Sequence, residues 1–502
     1  MNKISSYFFS ILLVLFFSLI FSLSFYSELS SDLAIFGANA YFSHQGLNLY
    51  NELMSTNGPL FLIFIRLSSY IFGWGISQLW LVYFFCIFIY LLSLLVLSSL
   101  FIKKITNRLL FIFIISGSFI FLNPNVSIVF FQLTFINIAF IFGITFIRNL
   151  DKEDTKKIVF GFLSLFFIFL STVVRIDMAI YYLSIGISIL SAVILDKLKP
   201  KQMIIIFLSF ILFSFFCTFL ILNFFGTNIF EFLFHNLTIN SMYKETFLNK
   251  SYYFFRPEHL KVFSFSGLVF FFIIALSYFL DSIFFKENKN EIARIENIFL
   301  FSILVINLLA YFFVNSNKEY HALILFPSFA LFISYYFDNI MDIFIKLKSF
   351  KSIIIIFVII INFHTLVFSF KWGFDNIRSE GVNPNCPIRF CEDLNLIKKY
   401  NISHMIGANA WLHFLSKKDP KLSTVNHVFY LWSDIPQMHR NGFILKQHNT
   451  LLNSKGSHFL LAKENYPTLV GIEVKNKYIE ELLENSILID ASETVSIYKI
   501  KN

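Results

Sequence analysis

Eleven apolar runs divide this chain, at about 7–27, 79–102, 109–122, 128–147, 158–174, 178–195, 202–225, 263–285, 298–314, 321–337 and 351–370. A bilayer-spanning helix needs roughly 17–25 apolar residues, because lipid offers backbone N–H and C=O groups no partner outside the helix itself. Composition agrees. The chain is 57% hydrophobic and 14% charged, against about 45–50% and about 25% in soluble domains. It is read as an all-α polytopic membrane protein with about 11 transmembrane helices. The net charge of +9 does not point to nucleic acid: no basic groove interleaved with stacking aromatics is visible. The N-terminal run lacks a small-x-small cleavage site and is too long for a signal-peptide core, so it reads as a retained first helix.

Loop charge sets the orientation. KKITNR (103–108), RNLDKEDTKK (148–157), DKLKPK (196–201), KENKNEIARIEN (286–297) and DNIMDIFIKLKSF (338–350) hold nearly all the lysine and arginine of the short loops. The short loops on the other side hold only Arg175 and Lys318. The positive-inside rule then gives an N-in, C-out topology. It holds only if residues 59–72, which contain Arg66 between a Gly-Pro step and GWG, lie at the interface and do not cross. Residues 1–370 form the transmembrane domain, with outer loops 28–78 and 226–262. Residues 371–502 alternate short strands and helices and read as a small extracytoplasmic α/β domain.

This topology gathers polar groups on one outer face. Asp32 follows the first run and precedes LAIFGANAYF, an expected amphipathic helix. It reads either as a helix cap or as a general base at a membrane-surface cleft. Arg175 and Asp177 form RID between two runs, either an ion pair closing a hairpin or an arginine that grips a phosphate. Lys318, Tyr320 and His321 crowd the mouth of a later helix, as interfacial anchors or as an anion site, and Pro327 is expected to kink that helix. Glu52, Arg66, His235, Arg256 and His259 are supporting or acceptor-side candidates. Of the four cysteines, Cys86 and Cys217 lie in apolar runs, whereas Cys386 and Cys391 in CPIRFC are a candidate local disulfide. No P-loop, GxSxG, GxGxxG or HExxH pattern occurs, and no cofactor is implied with certainty. A divalent cation and its ligands are left open.

The opening loop has a pattern. Asp32, Ala34, Gly46, Tyr50, Gly58, Pro59, Leu60, Phe72 and Gly73 resemble the first outer loop of GT-C membrane glycosyltransferases, over residues 28–75. That superfamily includes bacterial relatives of the protein O-mannosyltransferases and the lipid A aminoarabinose transferase. RID and KEYHALILFP resemble later motifs of the same superfamily. Three departures stand out: Leu33 follows Asp32 where a second acid is common, Gly58 replaces the first proline of a pair, and Lys318-Glu319 replaces an arginine.

The resemblance implies an inverting glycosyltransferase. It would move a sugar from a polyprenyl-phosphate-linked donor to a lipid, glycan or protein acceptor at the outer face of the bacterial cytoplasmic membrane, for cell-envelope modification. Asp32 would be the catalytic base, with Arg175, Lys318, Tyr320 and His321 toward the donor phosphate. The competing readings are a transporter or flippase of lipid-linked sugars and an O-antigen polymerase or ligase. A transporter would place ionisable groups near the bilayer midplane. Here the spans carry almost none.

Overall fold

The computed structural model describes residues 3–23, 31–50, 53, 58–117, 127–152, 154–233, 268–284, 291–314, 325–346, 360, 367, 371, 390–402, 404–406, 410–417, 443–463 and 477–502. Its contacts form two compact units. One unit comprises Met1–Phe25, Tyr83–Ile221 and Leu237–Phe374; the other comprises Tyr26–Val82, Leu222–Asn236 and Asp375–Asn502. The segment expected as the first outer loop therefore clusters with the tail.

Long apolar helices make up the first unit: α1 (Lys3–Ser22), α4 (Ile76–Ser99, which starts in the second unit), α5 (Ile105–Gly117), α6 (Ser127–Arg148), α7 (Asp154–Val174), α8 (Tyr182–Ile194), α9 (Pro200–Phe224, which ends in the second unit), α11 (Leu268–Phe284), α12 (Glu291–Val314) and α13 (Phe326–Lys346). Among the described residues, five helices are long and apolar enough to cross a membrane: those covering 76–99, 128–148, 155–174, 200–224 and 291–309. Four further expected runs appear as shorter apolar helices, at Phe8–Ser22, Ile105–Ser116, Met178–Ile194 and Phe270–Ser282. The chain is a multi-pass membrane protein. Nearly all of the last run, 351–370, lies outside the described residues. Pro327 does not kink a helix: it is the second residue of α13, where a missing N–H costs nothing.

The basic segments meet. Arg148 donates from Nη2 to Glu296 Oε1 at 2.9 Å and from Nη1 to the Leu100 carbonyl at 3.0 Å, while its guanidinium covers the Phe101 ring. Lys197 pairs with Asp151 at 3.1 Å and Glu291 at 2.9 Å. Asp338 accepts from the Lys103 backbone N–H at 2.9 Å and from Asn107 Nδ2 at 2.7 Å. Its carboxylate thereby faces the start of α5, where a negative charge suits the helix dipole. The described residues of all five basic segments are thus joined through these contacts, as a single orientation rule requires of them.

In the second unit, helices α2 (Ser31–His44), α3 (Pro59–Phe72) and α10 (Ile229–Leu233) precede the tail. The tail contributes α14 (Cys391–Lys399), α15 (Ala410–Ser416), α16 (Phe443–Asn453) and α17 (Lys477–Glu484). Its strands β1 (His404–Ile406), β2 (His458–Ala462), β3 (Ser486–Ala491) and β4 (Val495–Ile500) form one sheet in the order β1-β2-β4-β3. β1 and β2 are parallel, with Met405 opposite Leu460; the other pairings are antiparallel, with Leu460 opposite Ile497. The expected strand HVFYLW lies outside the described residues, and α16 was not expected. Asp393 pins α14 to the β3–β4 turn. It is fully buried and accepts from Ser492 Oγ at 2.8 Å and from Thr494 Oγ1 at 3.0 Å.

Two outcomes follow from these contacts. Arg148→Met leaves the Glu296 carboxylate buried without its cation, so the protein loses about 1–3 kcal/mol. Unfolding in detergent measures this, and the double variant Arg148→Met/Glu296→Leu recovers most of the loss. Burial raises the Asp393 carboxyl above its ordinary range, against the pull of Ser492 and Thr494. A raised carboxyl favours the protonated fold, so its contribution is complete below the unfolded value of about 3.9 and is lost as pH rises through the folded value. Hydrogen exchange at the β3–β4 turn of the full chain therefore accelerates as pH rises through that value, beyond the intrinsic rate, and Asp393→Asn removes the step.

Candidate functional site

The loop that opens the second unit is built around a buried helix. Leu33, Ala34, Phe36, Ala38, Asn39, Ala40 and Phe42 of α2 are all buried, so the helix is not amphipathic as expected. The reason is enclosure on several sides. Phe36 meets Phe61 of α3 edge-on at 5.4 Å between ring centroids. A Cβ placed on Gly37 would stand 2.8 Å from Leu79 Cδ1 and 3.3 Å from Phe414 Cε2. The helix therefore packs closely against the start of α4 and against α15 of the tail, and a larger residue at 37 requires Leu79 to shift.

Asp32 is the second residue of α2. It lies inside the first turn, not ahead of it; an acid there still suits the dipole. Its side chain is outside the described residues. Asn39 follows seven residues later, two turns along the same face. It is fully buried, and neither Nδ2 nor Oδ1 has a hydrogen-bond partner among the described residues. An unpaired buried carboxamide costs about 1–3 kcal/mol. Sequence reading passed over it because one asparagine in LAIFGANAYF looks like ordinary helix polarity.

The turn after α2 explains two of the motif residues. Gly46 has φ +100° and reverses the chain. Tyr50 also adopts a left-handed φ of 72°, unusual for an aromatic residue. It is held there: its N–H donates to the Leu53 carbonyl at 2.7 Å, and its buried ring meets Phe232 of α10. The Leu49 N–H donates to the Phe225 carbonyl at 3.4 Å. The loop is thus tied to the end of α9 and the turn beyond.

Arg66 has its surroundings described. Its guanidinium carbon lies 4.2 Å from the Phe224 ring centroid and 5.7 Å from that of Phe225, and Nη2 is 3.4 Å from His44 Nδ1. The His44 ring in turn meets Tyr70 edge-on and leans against Trp74. His44, Phe224 and Trp74 were not anticipated, because they come from three separate stretches of the chain.

In the first unit, half-buried Arg175 occupies the corner between α7 and a 3-10 helix, Ile176–Tyr181. Its N–H donates to the Ser171 carbonyl at 3.0 Å. The Asp177 side chain is outside the described residues. At the end of the 3-10 helix, the Tyr181 hydroxyl donates to Asn307 Oδ1 at 2.6 Å, and Asn307 Nδ2 donates to Ser328 Oγ. All three are fully buried. A polar chain inside an apolar bundle thus joins the RID corner, through α12, to the residue after Pro327. Lys318, Tyr320 and His321, like Glu52, His235, Arg256, His259 and Cys386, lie outside the described residues. Cys391 is disulfide-bonded, while Cys86 and Cys217 are free. Among the described residues, no group of three or more His, Cys, Asp or Glu side chains could hold a metal.

No family model matches the sequence, and no curated protein matches it. Solved structures do match. The crystal structure of ArnT from Cupriavidus metallidurans bound to undecaprenyl phosphate is similar with a TM-score of 0.60 over 97% of each chain, at 8% identity. Its apo form gives 0.56 over 93% of this chain and 92% of that one, also at 8% identity. The Archaeoglobus fulgidus oligosaccharyltransferase, tethered with an acceptor peptide, gives 0.51 at 11% identity over 91% of this chain and 69% of that one. The chain shares the overall fold of these structures over most of its length.

The polar chain makes a stability prediction. Asn307→Leu leaves the Tyr181 hydroxyl without its acceptor in an apolar interior, which costs about 1–3 kcal/mol. Thermal unfolding in detergent measures this loss, and the double variant Tyr181→Phe/Asn307→Leu, which removes both partners, loses less than the single variants would sum to.

Proposed function

We propose that this protein is an inverting glycosyltransferase that moves a sugar from a polyprenyl-phosphate-linked donor to an acceptor hydroxyl. The observation that carries the reading is the fold likeness to ArnT over 97% of both chains, with that neighbour holding undecaprenyl phosphate. The acid of α2 adds to it, standing at the start of a helix enclosed by both the first loop and the tail. The reaction is placed at the outer face of the cytoplasmic membrane. The five basic segments, joined to one another, would face the cytoplasm under the positive-inside rule. The eleven-helix, N-in and C-out topology belongs to the same proposal, as does a Cys386–Cys391 bond in the extracytoplasmic tail.

The chemistry follows from a lipid-linked donor. Its tail partitions into the bilayer, so its sugar phosphate reaches the protein at the interface. Asp32 takes the proton from the acceptor hydroxyl as that oxygen attacks the anomeric carbon. The bond to the phosphate oxygen breaks on the opposite face, and the lipid phosphate leaves with the electron pair. Arg175 from the RID corner, with Lys318, Tyr320 and His321, stabilises the charge growing on that phosphate. Asp177, Glu52, His235, Arg256 and His259 stand as supporting or acceptor-side groups, and Asn39 is added as a contact for a substrate hydroxyl. A divalent cation remains an optional addition beside Asp32.

The test uses purified protein in lipid nanodiscs with a polyprenyl-phosphate sugar and a candidate acceptor. Asp32→Asn is expected to lower kcat by about 10²–10⁴-fold, with donor binding retained. Equal rates for the two proteins would remove Asp32 from the mechanism. Movement of the donor across the bilayer without transfer would replace the enzyme by a transporter.

A further inference from the structure

Helix α3 presents two faces. Phe61, Leu62 and Ile65 are buried, whereas Leu67, Tyr70 and Ile71 are 56%, 68% and 76% exposed. These three stand at the three- and four-residue spacing of a single stripe. A helix of 14 residues is only about 21 Å long, against roughly 30 Å of hydrocarbon. A short helix with one bare apolar stripe lies in the membrane surface. Arg66 borders that stripe, next to Leu67 and one turn before Tyr70.

A second observation fixes the depth of Arg66. Of the five long apolar helices, α9 is the barest, with 6% of its apolar window buried. Phe215, Phe216, Phe219 and Leu220 lie exposed along it, and it ends at Phe224. The Arg66 guanidinium stacks on that terminal ring at 4.2 Å. It therefore sits where a lipid-facing span leaves the hydrocarbon, at the level of the headgroups.

Among the described residues Arg66 has no carboxylate partner; its polar neighbours are His44 Nδ1 at 3.4 Å and Tyr70. Its Nε is buried with no hydrogen-bond partner. A guanidinium carries five N–H donors and keeps its charge. Aromatic rings cover one face of this one and leave its edge unsatisfied. Such an edge fits two oxygens of a phosphate.

We propose that Arg66, flanked by His44 and Tyr70, binds the phosphate of a bilayer phospholipid. Its acyl chains would lie along Leu67, Tyr70 and Ile71. The exposed stripe and the bare face of α9 favour a lipid of the surrounding bilayer, since both are open to bulk hydrocarbon. The proposal is independent of the transfer reaction.

Native mass spectrometry of the full chain, delipidated in detergent and titrated with phosphatidylglycerol, tests it. The wild type is expected to retain one phospholipid that Arg66→Gln binds at least about tenfold more weakly, the loss of one charge-assisted contact. Arg66→Lys, which keeps the charge and the stem, should bind at intermediate strength and melt like the wild type, which separates lost binding from lost folding. Diacylglycerol, which lacks the phosphate, should be retained by none of the three. Equal retention by wild type and Arg66→Gln overturns the proposal. Two other results overturn it as well: inorganic phosphate binding as tightly as the lipid would make this an ion site, and displacement by one equivalent of undecaprenyl phosphate would assign Arg66 to the donor.

Discussion

Hydrocarbon gives a charged or polar group nothing to bind, so a chain that crosses it must satisfy its polar groups within the protein or carry them to the helix ends. The arrangement of this molecule depends on that constraint. Arg148, Lys197 and Asp338 knit five charged segments together through ion pairs and backbone hydrogen bonds. Within the bundle, polar side chains are admitted where they find one another, as Tyr181, Asn307 and Ser328 do. Asn137, which donates to Ser93 Oγ at 2.9 Å, is a second case. Some buried polar atoms find no partner among the described residues, Asn39 Nδ2 and Oδ1 in α2 and Arg66 Nε in α3 among them.

Much of this was legible in the sequence, because the membrane imposes a coarse code. Run length picked out apolar helices, five of them long enough to cross among the described residues, and loop charge picked out segments that meet. Residues 59–72, read as interfacial from Arg66 between a Gly-Pro step and GWG, form α3, a 14-residue helix bounded by Gly58 and Gly73. The alternation in the tail foretold β1, β2, β3 and β4. Other features were hidden because they are products of distant packing. LAIFGANAYF reads as amphipathic until Phe414, Leu79 and Phe61 close around it. Helix α16 mixes Lys446, Gln447, His448 and Asn449 into an apolar frame and lacks a clear period. The partnership of Arg66 with His44 and Phe224 joins residues 22 and 158 positions apart, which no local pattern encodes.

The motif residues also divide by cause. Gly46 and Tyr50 owe their place to backbone geometry, since both adopt left-handed conformations in a turn that holds the loop against the end of α9. Gly58 and Pro59 open α3 and set where it begins. These residues shape the loop through its backbone, and Asp32 is the one carboxylic acid among the motif residues.

The enclosure of α2 by α15 has a consequence in time. Helix α2 ends at His44, and the tail helix that covers Gly37 begins at Ala410, so 365 residues are synthesised between them. At roughly 5–20 residues per second, ribosomal synthesis takes on the order of 20–70 s to supply that cover. During this interval the apolar side chains of α2 that face α15 await their partner. The segment with the candidate base is thus among the first to be made and among the last to be completed. A nascent chain of this protein therefore holds α2 uncovered on that side until the segment around Ala410 has been made.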